Sequence, residues 1–239
     1  MKILVLIPAR LESTRLPKKP LININGKSMI QTVYDQIKKC ENDLDIIIAT
    51  NSKEIYDHAL LFNAKTIMTN KNHISGTDRC NEVVNYLNTD YDLIINVQAD
   101  EPLINPKQID MIINSFKVCP DDIISLAKEI SSQNEIHNPN TVKVNFNKEM
   151  FATDFYRNVE KESLNYYKHI GVYAFKKGVL QKICALNPSE NELNLKLEQL
   201  RWMDNNYKIK IIKTNFENIS IDTKDDLDDL LKYYKKLEN

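Results

Sequence analysis

The sequence predicts an α/β protein with a mostly parallel mixed sheet and helices on both faces. Through the first half of the chain, short apolar runs typical of buried strands alternate with segments whose apolar residues recur every three or four positions. This alternation favours right-handed strand–helix–strand crossovers. The chain has 239 residues, of which 42% are hydrophobic, so it is long enough to bury a sizeable core. We expect a single domain over residues 1–239.

The first half of the chain contains the regular part of this pattern. The apolar run Ile3–Ile7 predicts a buried strand that ends at Pro8. The third helix is expected to have Thr77 or Asp78 as its N-cap, and Pro106 is expected in the first turn of the fourth. The remaining predictions are strands at 45–50, 66–69 and 92–98, and helices at 30–37, 53–62, 80–87 and 105–116.

The pattern changes after about residue 122. Strand-like segments follow one another with little helix between them, which predicts a small antiparallel extension, or flap, over approximately 140–175. The last helix has acidic residues in its first turns and lysines near its end, as the helix dipole favours. The elements predicted here are strands at 123–129, 141–146, 168–175 and 207–213, helices at 176–186 and 191–204, and a last helix with Leu227, Leu230, Leu231 and Tyr234 on one face.

Composition and charge exclude several classes of protein. The formal net charge of −1 provides no general attraction to nucleic acid or to an anionic membrane. No apolar stretch approaches the ~20 residues that a membrane span requires, and the first residues show no signal-peptide pattern. The cysteines are widely spaced with no Cys-x-x-Cys pair, which favours reduced thiols and a cytoplasmic setting. These cysteines are Cys40, Cys80, Cys119 and Cys184.

A cluster of cations directly follows the first predicted strand. Arg10, Arg15, Lys18 and Lys19 lie in a proline-containing segment, residues 10–19, which we name the basic loop. Open α/β sheets bind ligands at the carboxyl ends of their strands, so this loop predicts a polyanionic ligand. The spacing of the glycine-rich phosphate loop is absent. Side-chain cations, more than glycine amides, would therefore hold the phosphates.

A second polar segment runs from His73 to Arg79 at the start of a predicted helix, with Glu82 one turn later. The hydroxyls of Ser75 and Thr77, the free amides of the helix start and the Arg79 guanidinium could contact an anion or the edge of a base. The alternative is a capping segment with a surface salt bridge, and the residues alone favour neither reading.

Asp100 follows the strand predicted at 92–98, so it is expected at the same sheet edge as the basic loop. A cation between this carboxylate and a polyphosphate would relieve their repulsion. One carboxylate holds Mg²⁺ loosely, and the best second candidate is Asp222, just before the last helix. The alternative role for Asp222 is the N-cap of that helix.

A fourth set of polar residues is dispersed over the second half of the chain. Its cations and hydrogen-bond donors suit a polyhydroxylated acid, although His169 taken alone is more typical of a structural histidine. The histidines lack the spacing of a metal site, and no nucleophile elbow is present. The set comprises residues 140–143, Arg157, 168–173 and 198–201, with Lys143, His169, Tyr173, Glu198 and Gln199 among them.

Six strings in this chain resemble the 3-deoxy-manno-octulosonate (Kdo) cytidylyltransferases, the CMP-Kdo synthetases. They occur in the order found in that family and extend over nearly the whole chain. Any one string is a weak signal, but six in order are highly specific. They are IPARLESTRLPKKPL at 7–21, HISGTDR at 73–79, VQADEP at 97–102, KHIGVYAF at 168–175, LEQLR at 197–201 and IDT at 221–223.

The resemblance implies a glycosyltransferase-A-like nucleotidyltransferase fold, a homodimer and Mg²⁺-dependent transfer of CMP from CTP to the anomeric hydroxyl of Kdo. Pyrophosphate would leave, and the product would serve lipopolysaccharide or capsule synthesis. Two alternatives stay open. One is another 2-keto acid sugar as acceptor, such as 8-amino-Kdo, and the other is a nucleotide-binding module without turnover.

The resemblance also implies roles for particular residues. Lys19, Arg10 and Asp100 would be catalytic, and Asp100 and Asp222 would bind the metal. The nucleotide would contact Arg10, Ser13, Arg15, Lys19, Ser75, Gly76, Thr77, Arg79 and Gln98. The acceptor sugar would contact Gln98, Lys143, Arg157, His169, Tyr173, Glu198 and Gln199.

Two departures from the family pattern stand out. The family usually has glycine at the position of Ala99, beside the expected metal carboxylate. The segment 154–160 keeps Arg157 but not its usual neighbours.

Overall fold

The computed structural model describes residues 1–159 and 165–237, so part of the predicted extension, 160–164, lies outside the described residues. Within them a nine-stranded mixed sheet lies beside a two-stranded one. The strands are β1 Ile3–Ala9, β2 Asn23–Ile24, β3 Lys27–Ser28, β4 Asp45–Thr50, β5 Thr66–Met68, β6 Leu93–Val97, β7 Ile123–Glu129, β8 Lys143–Phe146, β9 Ala152–Tyr156, β10 Tyr167–Phe175 and β11 Ile209–Lys213.

The helices alternate with strands in the first half and cluster in the second. A 3₁₀ turn at Lys19–Leu21 ends the basic loop. None of the described helices has the length and apolar character that crossing a membrane requires. The helices are α1 Met29–Ile37, α2 Lys53–Leu60, α3 Gly76–Tyr86, α4 Pro106–Val118, α5 Gln133–His137, α6 Lys177–Cys184, α7 Glu190–Leu195, α8 Glu198–Asp204 and α9 Lys224–Leu237.

The main path of the sheet runs β11-β7-β10-β6-β1-β4-β5. β10 is antiparallel to both of its neighbours, β6 and β7, and all other pairs along the path are parallel. The predicted mostly parallel mixed sheet is therefore confirmed. β8 and β9 leave this path as an antiparallel pair attached to the start of β10. We name these three strands the extension.

Alternating side chains of β1 face two separate cores, as the period of a strand requires. Val5 and Ile7 pack with helices α1, α2 and α4 on one face. Leu4 and Leu6 pack with α3, α6 and α8 on the other. Helices therefore cover both faces, and the sheet is buried between them. A smaller cluster around Leu230 of α9 lies near the start of α1.

Three local predictions were wrong in detail. β1 continues through Pro8 to Ala9, because beyond Leu6 it is paired with β4 alone and a residue without an N–H is tolerated. The helix predicted at 191–204 is split in two, because Lys196 has a φ of +53° and ends α7. The N-cap of α3 is Ser75, neither Thr77 nor Asp78. The reason is a Ser-x-x-Asp pattern, in which the Ser75 hydroxyl accepts from the Asp78 N–H at 3.1 Å.

Candidate active site

A cavity of about 430 Å³ opens at the carboxyl ends of β1 and β6. The basic loop, the start of α3 and the residues after β6 form its walls, and Asp222 enters from the segment before α9. This is the sheet edge at which open α/β folds bind ligands. The predicted site residues that line it are Arg10, Ser13, Arg15, Lys19, Ser75, Gly76, Arg79, Gln98, Asp100 and Asp222.

One ammonium group joins the two carboxylates predicted to bind metal. The Nζ atom of Lys19 lies 2.6 Å from Asp100 Oδ2 and 3.0 Å from Asp222 Oδ1. The guanidinium of Arg15 lies 3.0 Å from the same Asp222 oxygen. Two acidic side chains that are far apart in sequence therefore converge on one cation, beside the basic loop.

The backbone holds Asp222 beside Asp100. The N–H of Ile221 donates to the carbonyl of Asp100 at 3.0 Å. Thr223 and Asp226 bond reciprocally at the start of α9, with the Asp226 carboxylate accepting from the Thr223 N–H at 2.7 Å. Thr223 therefore caps the helix, and the N-cap alternative for Asp222 is wrong. Its carboxylate is left to face the cavity.

The charges in this cluster stabilise one another. Burial pushes the pKa of the Asp222 carboxyl upward, but Lys19 and Arg15 outweigh it and hold that pKa below its usual range. Burial lowers the pKa of the Lys19 ammonium, but Asp100 and Asp222 outweigh it and raise the pKa overall. At neutral pH Asp222 therefore presents carboxylate oxygens and Lys19 presents a positive charge.

The two carboxylates fit a magnesium site. Both already share one cation, and carboxylate oxygens are the ligands that Mg²⁺ prefers. The described residues contain no group of three or more histidine, cysteine or acidic side chains able to hold a metal. Two carboxylates match the way Mg²⁺ is held in nucleotide sites, where substrate phosphates and water complete the coordination.

The start of α3 approaches the end of β1 closely. A Cβ atom on Gly76 would lie 3.1 Å from Pro8 Cγ and 3.2 Å from Gln98 Oε1, so a side chain at position 76 would crowd the cavity wall. Arg79 is buried, and its guanidinium donates to the Thr69 hydroxyl and to the Asn70 carbonyl. Part of its hydrogen-bonding capacity therefore anchors the preceding segment.

The lining residues absent from the predicted site include Glu12, His73 and Ile74. The others are Pro8, Ala9, Thr14, Pro20 and Ala99. His73 bonds to the Glu82 carboxylate, which also accepts from the Asn70 N–H at 2.8 Å. Glu12 and Ile74 expose their side chains beside the cavity. His73 and Ile74 belong to a string that carries the resemblance, so proximity to Ser75 was the available signal.

A chain of hydrogen bonds leads from the cavity wall to α8. Gln98 donates to Asn96 at 3.2 Å, Asn96 donates to Thr77 at 3.3 Å, and Thr77 donates to Glu198 at 3.0 Å. Thr77 is fully buried and does not line the cavity. Burial raises the pKa of the Glu198 carboxyl to about 7, although hydrogen bonds from Ser75 and Thr77 oppose the shift.

His169 and Tyr173 both belong to β10, where Tyr173 is buried and His169 is half-buried. The ring of His169 packs between Phe155 and Tyr173, with centroid distances of 5.2 and 5.1 Å, and its Nε2 lies 2.8 Å from Ser125 Oγ. Burial lowers the pKa of His169 to about 3, so its imidazole is neutral. Gln199 is likewise buried, at the start of α8.

Lys143 and Arg157 direct their charged groups at backbone carbonyls. The ammonium of Lys143 donates to the carbonyls of Asn138 at 2.6 Å and Arg157 at 2.9 Å, and burial lowers its pKa to about 8. The Arg157 guanidinium donates to the carbonyls of Pro139, Leu195 and Lys196. Neither residue lines the cavity. Their contact with an acceptor sugar stays a prediction.

A mixed sheet with a cationic loop and two convergent carboxylates at its strand ends defines a class: nucleotidyltransferases of the glycosyltransferase-A-like fold. Comparison with known proteins agrees. A family model described as cytidylyltransferase matches residues 4–211. The 3-deoxy-manno-octulosonate cytidylyltransferase of Cytophaga hutchinsonii is 41% identical over 240 residues, covering 95% of each chain. This chain belongs to the 3-deoxy-manno-octulosonate cytidylyltransferase family.

Two further similarities bear on the substrates. The solved structure of CMP:2-keto-3-deoxy-manno-octonic acid synthetase complexed with CTP has a TM-score of 0.90 and 33% identity, covering 99% of this chain and all of the other. The 8-amino-3,8-dideoxy-manno-octulosonate cytidylyltransferase of Shewanella sp. (strain ANA-3) is 38% identical over 235 residues, covering 95% of this chain and 96% of its own.

Proposed function

We propose that this protein transfers CMP from CTP to the anomeric hydroxyl of Kdo, with release of pyrophosphate. The observation that carries the proposal is the pair of carboxylates, Asp100 and Asp222, that meet at Lys19 beside the basic loop. That arrangement suits a triphosphate with its metal. The choice of cytosine and of Kdo follows the named relatives and the relative solved with CTP.

The chemistry is direct displacement at phosphorus. The anomeric oxygen attacks the α-phosphorus and its hydroxyl proton passes to water. The bond from that phosphorus to the oxygen shared with the β-phosphate breaks, and its electron pair leaves with pyrophosphate. Such reactions depend mainly on positioning and on neutralising charge. Lys19 and Arg10 would hold the leaving pyrophosphate, and the support is that both line the cavity at the end of β1. Preorganised cations of this kind lower the barrier without reorganising during the step.

Magnesium dependence is part of the proposal. Asp100 and Asp222 would hold the ion, which when bound polarises the α-phosphate and helps orient the attacking hydroxyl. The ion and the Lys19 ammonium would compete for the same carboxylate oxygens. Lys19 would then be released to face the triphosphate. The resting contacts of Lys19 are thus compatible with its role in holding pyrophosphate.

The acceptor has one serious alternative, 8-amino-Kdo. It is supported by the Shewanella relative, whose identity of 38% is close to the 41% of the Kdo enzyme from Cytophaga hutchinsonii. Overall identity therefore discriminates weakly between the two sugars. Kdo remains the first choice, because it is the acid named for most of the similar relatives.

A pyrophosphate-release assay over four nucleotides and several sugar acids tests this proposal. The expected result is rapid release with CTP and Kdo, with Mg²⁺ present, and little release with the other nucleotides. Faster release with 8-amino-Kdo would transfer the assignment to that sugar. CTP binding without release for any acid would identify a nucleotide-binding module and contradict catalysis.

We also infer a homodimer located in the cytoplasm. The support for the dimer is the family resemblance, with the extension as the expected contact. The support for the compartment is the widely spaced cysteines, all of which are free thiols. Light scattering after size exclusion tests the dimer, and a molar mass of one chain would contradict it. Fractionation of the source cells tests the compartment, and recovery outside the cytoplasm would contradict it.

A further inference from the structure

Glu101 follows Asp100 in the chain but points into the protein, not into the cavity. It is 4% exposed, and each of its carboxylate oxygens accepts one hydrogen bond. Oε1 accepts from the N–H of Gly171 in β10 at 3.2 Å, and Oε2 accepts from the Asn218 side-chain amide at 3.4 Å. A buried carboxylate costs free energy unless its oxygens are bonded, so these two contacts fix its position.

Asn218 forms two further hydrogen bonds, one through its side-chain oxygen and one through its backbone carbonyl. Its side-chain oxygen accepts from Gln108 at 2.8 Å, and Gln108 also accepts from the Asn105 N–H at the start of α4. The backbone carbonyl of Asn218 accepts from the Lys168 ammonium at 2.7 Å. A buried polar network therefore joins the end of β6, the strand β10, the start of α4 and the segment that leads to Asp222.

This network has the two metal-binding candidates at its borders. Asp100 adjoins Glu101, and Asp222 lies four residues beyond Asn218 in the chain. A backbone hydrogen bond from the Ile221 N–H to the Asp100 carbonyl also joins the two segments. Since the two carboxylates come from distant parts of the chain, something must set their separation. Besides the Lys19 ammonium, the Glu101–Asn218 bond is a side-chain link between the two segments that carry them.

We propose that Glu101 is a positioning residue, which through Asn218 sets the separation of Asp100 and Asp222 so that both can hold one divalent ion beside CTP. This inference rests on the proposed function, because it presumes a metal bound with the nucleotide. Residues that orient metal ligands without touching the metal commonly change affinity by about 10–100-fold when altered. An effect of that size is expected here.

A reversal of the hydrogen bond gives the sharpest test. Glu101→Gln places an amide donor against the Asn218 amide, and Asn218→Asp places a carboxylate against the Glu101 carboxylate. The double variant restores the bond with the donor and acceptor exchanged. The carboxylate introduced at position 218 can still accept from Gln108, and the amide oxygen introduced at position 101 can still accept from the Gly171 N–H. Each single change should therefore be harmful, and the pair should compensate.

The readout is the gain in CTP affinity that Mg²⁺ provides, measured by calorimetry with and without the ion and without acceptor. Both single variants are expected to reduce this gain about tenfold. Their metal-free CTP affinity should stay within about twofold of wild type, and the double variant should recover most of the gain. Equal weakening with and without Mg²⁺, or no recovery in the double variant, would overturn the proposal.

Asp110→Asn is the matched control. Asp110 is also a buried carboxylate, and it also accepts from one backbone N–H, of Glu41, and one asparagine amide, of Asn42. It does not line the cavity. Its variant should lower the thermal unfolding temperature without changing the Mg²⁺-dependent gain. A reduction in gain as large as that of Glu101→Gln would show that loss of stability alone explains the effect.

A steric variant tests the same claim independently. A Cβ on Gly171 would lie 3.1 Å from Glu101 Oε1 and 3.3 Å from Gln98 Cγ, whereas a Cβ on Gly178 would meet nothing within 4 Å. Gly171→Ala should therefore reduce the Mg²⁺-dependent gain, and Gly178→Ala should not. Equal results for the two alanines would contradict the proposal. If wild type gains no CTP affinity from Mg²⁺, the metal assignment in the proposed function is wrong and this inference falls with it.

Discussion

The basic loop and the extension use their cations differently. In the basic loop, Lys19 and Arg15 bond to carboxylates at the edge of an open cavity, where a bound metal or phosphate can replace those partners. Lys143 of the extension and Arg157, which directly follows β9, instead donate to backbone carbonyls. A cation whose carboxylate partner can be replaced by a metal or a phosphate is available to bind a ligand. One paired with the backbone supports the fold.

This difference assigns expected phenotypes to the two regions. Substitutions at the basic loop and its carboxylates should change catalysis and leave stability nearly intact. Substitutions in the extension should change stability first. Each of the following experiments tests this difference between the two regions.

The largest effect is expected for Asp100→Ala. Loss of this carboxylate removes half of the shared cation site, and turnover should fall on the order of 10²-fold or more, comparable to losing an electrostatic stabiliser. Steady-state kinetics at saturating Mg²⁺ measure it. Asp57→Ala is the control, since Asp57 forms an exposed ion pair with Lys53 within α2. Near-normal turnover of the Asp100 variant would refute its role.

The next effect is expected for Lys19→Ala. Hydrogen bonds to charged groups are worth about 1.5–3 kcal/mol, so kcat/KM for CTP should fall roughly 10–100-fold. The adjacent Lys18 supplies the control, because its ammonium bonds to Glu54 at 2.8 Å and it does not line the cavity. Lys18→Ala should retain activity close to wild type. Unchanged kinetics with CTP for Lys19→Ala would remove that residue from the mechanism.

Lys143→Met tests the extension. The change keeps most of the side-chain length but leaves two carbonyls without their donor, which should lower the free energy of unfolding by about 2 kcal/mol. KM for CTP should be unchanged. Chemical denaturation and kinetics on the same preparation separate the effects. Full stability combined with a raised KM for Kdo would instead place Lys143 in the acceptor site. That result would contradict its structural role.

The smallest effect concerns pH and His169. Burial lowers the pKa of His169 to about 3 in the folded protein. In the unfolded chain the imidazole binds a proton below about pH 6.5, whereas in the folded protein it stays neutral. Stability should therefore fall as the pH falls from about 6.5 toward 3. Relative to His169→Gln, wild type should lose about 1 kcal/mol between pH 7 and pH 5.5. Parallel stability curves for the two proteins would show that the imidazole titrates normally.

The sequence predicted what depends on local pattern. The strand Asp45–Thr50 was predicted with the bounds that the structure has, because a short apolar run bounded by polar residues leaves little choice. The meeting of Asp100 with the basic loop was also predictable, since both follow parallel strands and those strand ends share an edge. The capping role of Ser75 was missed, although its Ser-x-x-Asp pattern was present.

The remaining features depend on long-range packing that no local pattern encodes. The Glu101–Asn218 bond joins residues that are distant in sequence, and neither has a periodicity that indicates the other. The burial of Lys143 was likewise unpredictable, because a lysine is ordinarily exposed and only the carbonyls of Asn138 and Arg157 make its position acceptable. Buried polar contacts between distant segments are therefore the part of the molecule that the sequence predicts least well.

The most direct test of the shared cation site is a crystal structure with CTP and Mn²⁺, using anomalous scattering to locate the metal. We expect an anomalous peak within bonding distance of carboxylate oxygens from both Asp100 and Asp222, in contact with the triphosphate, and with the Lys19 ammonium displaced toward the phosphates. A metal that contacts CTP alone, with Lys19 still between the two aspartates, would contradict this account.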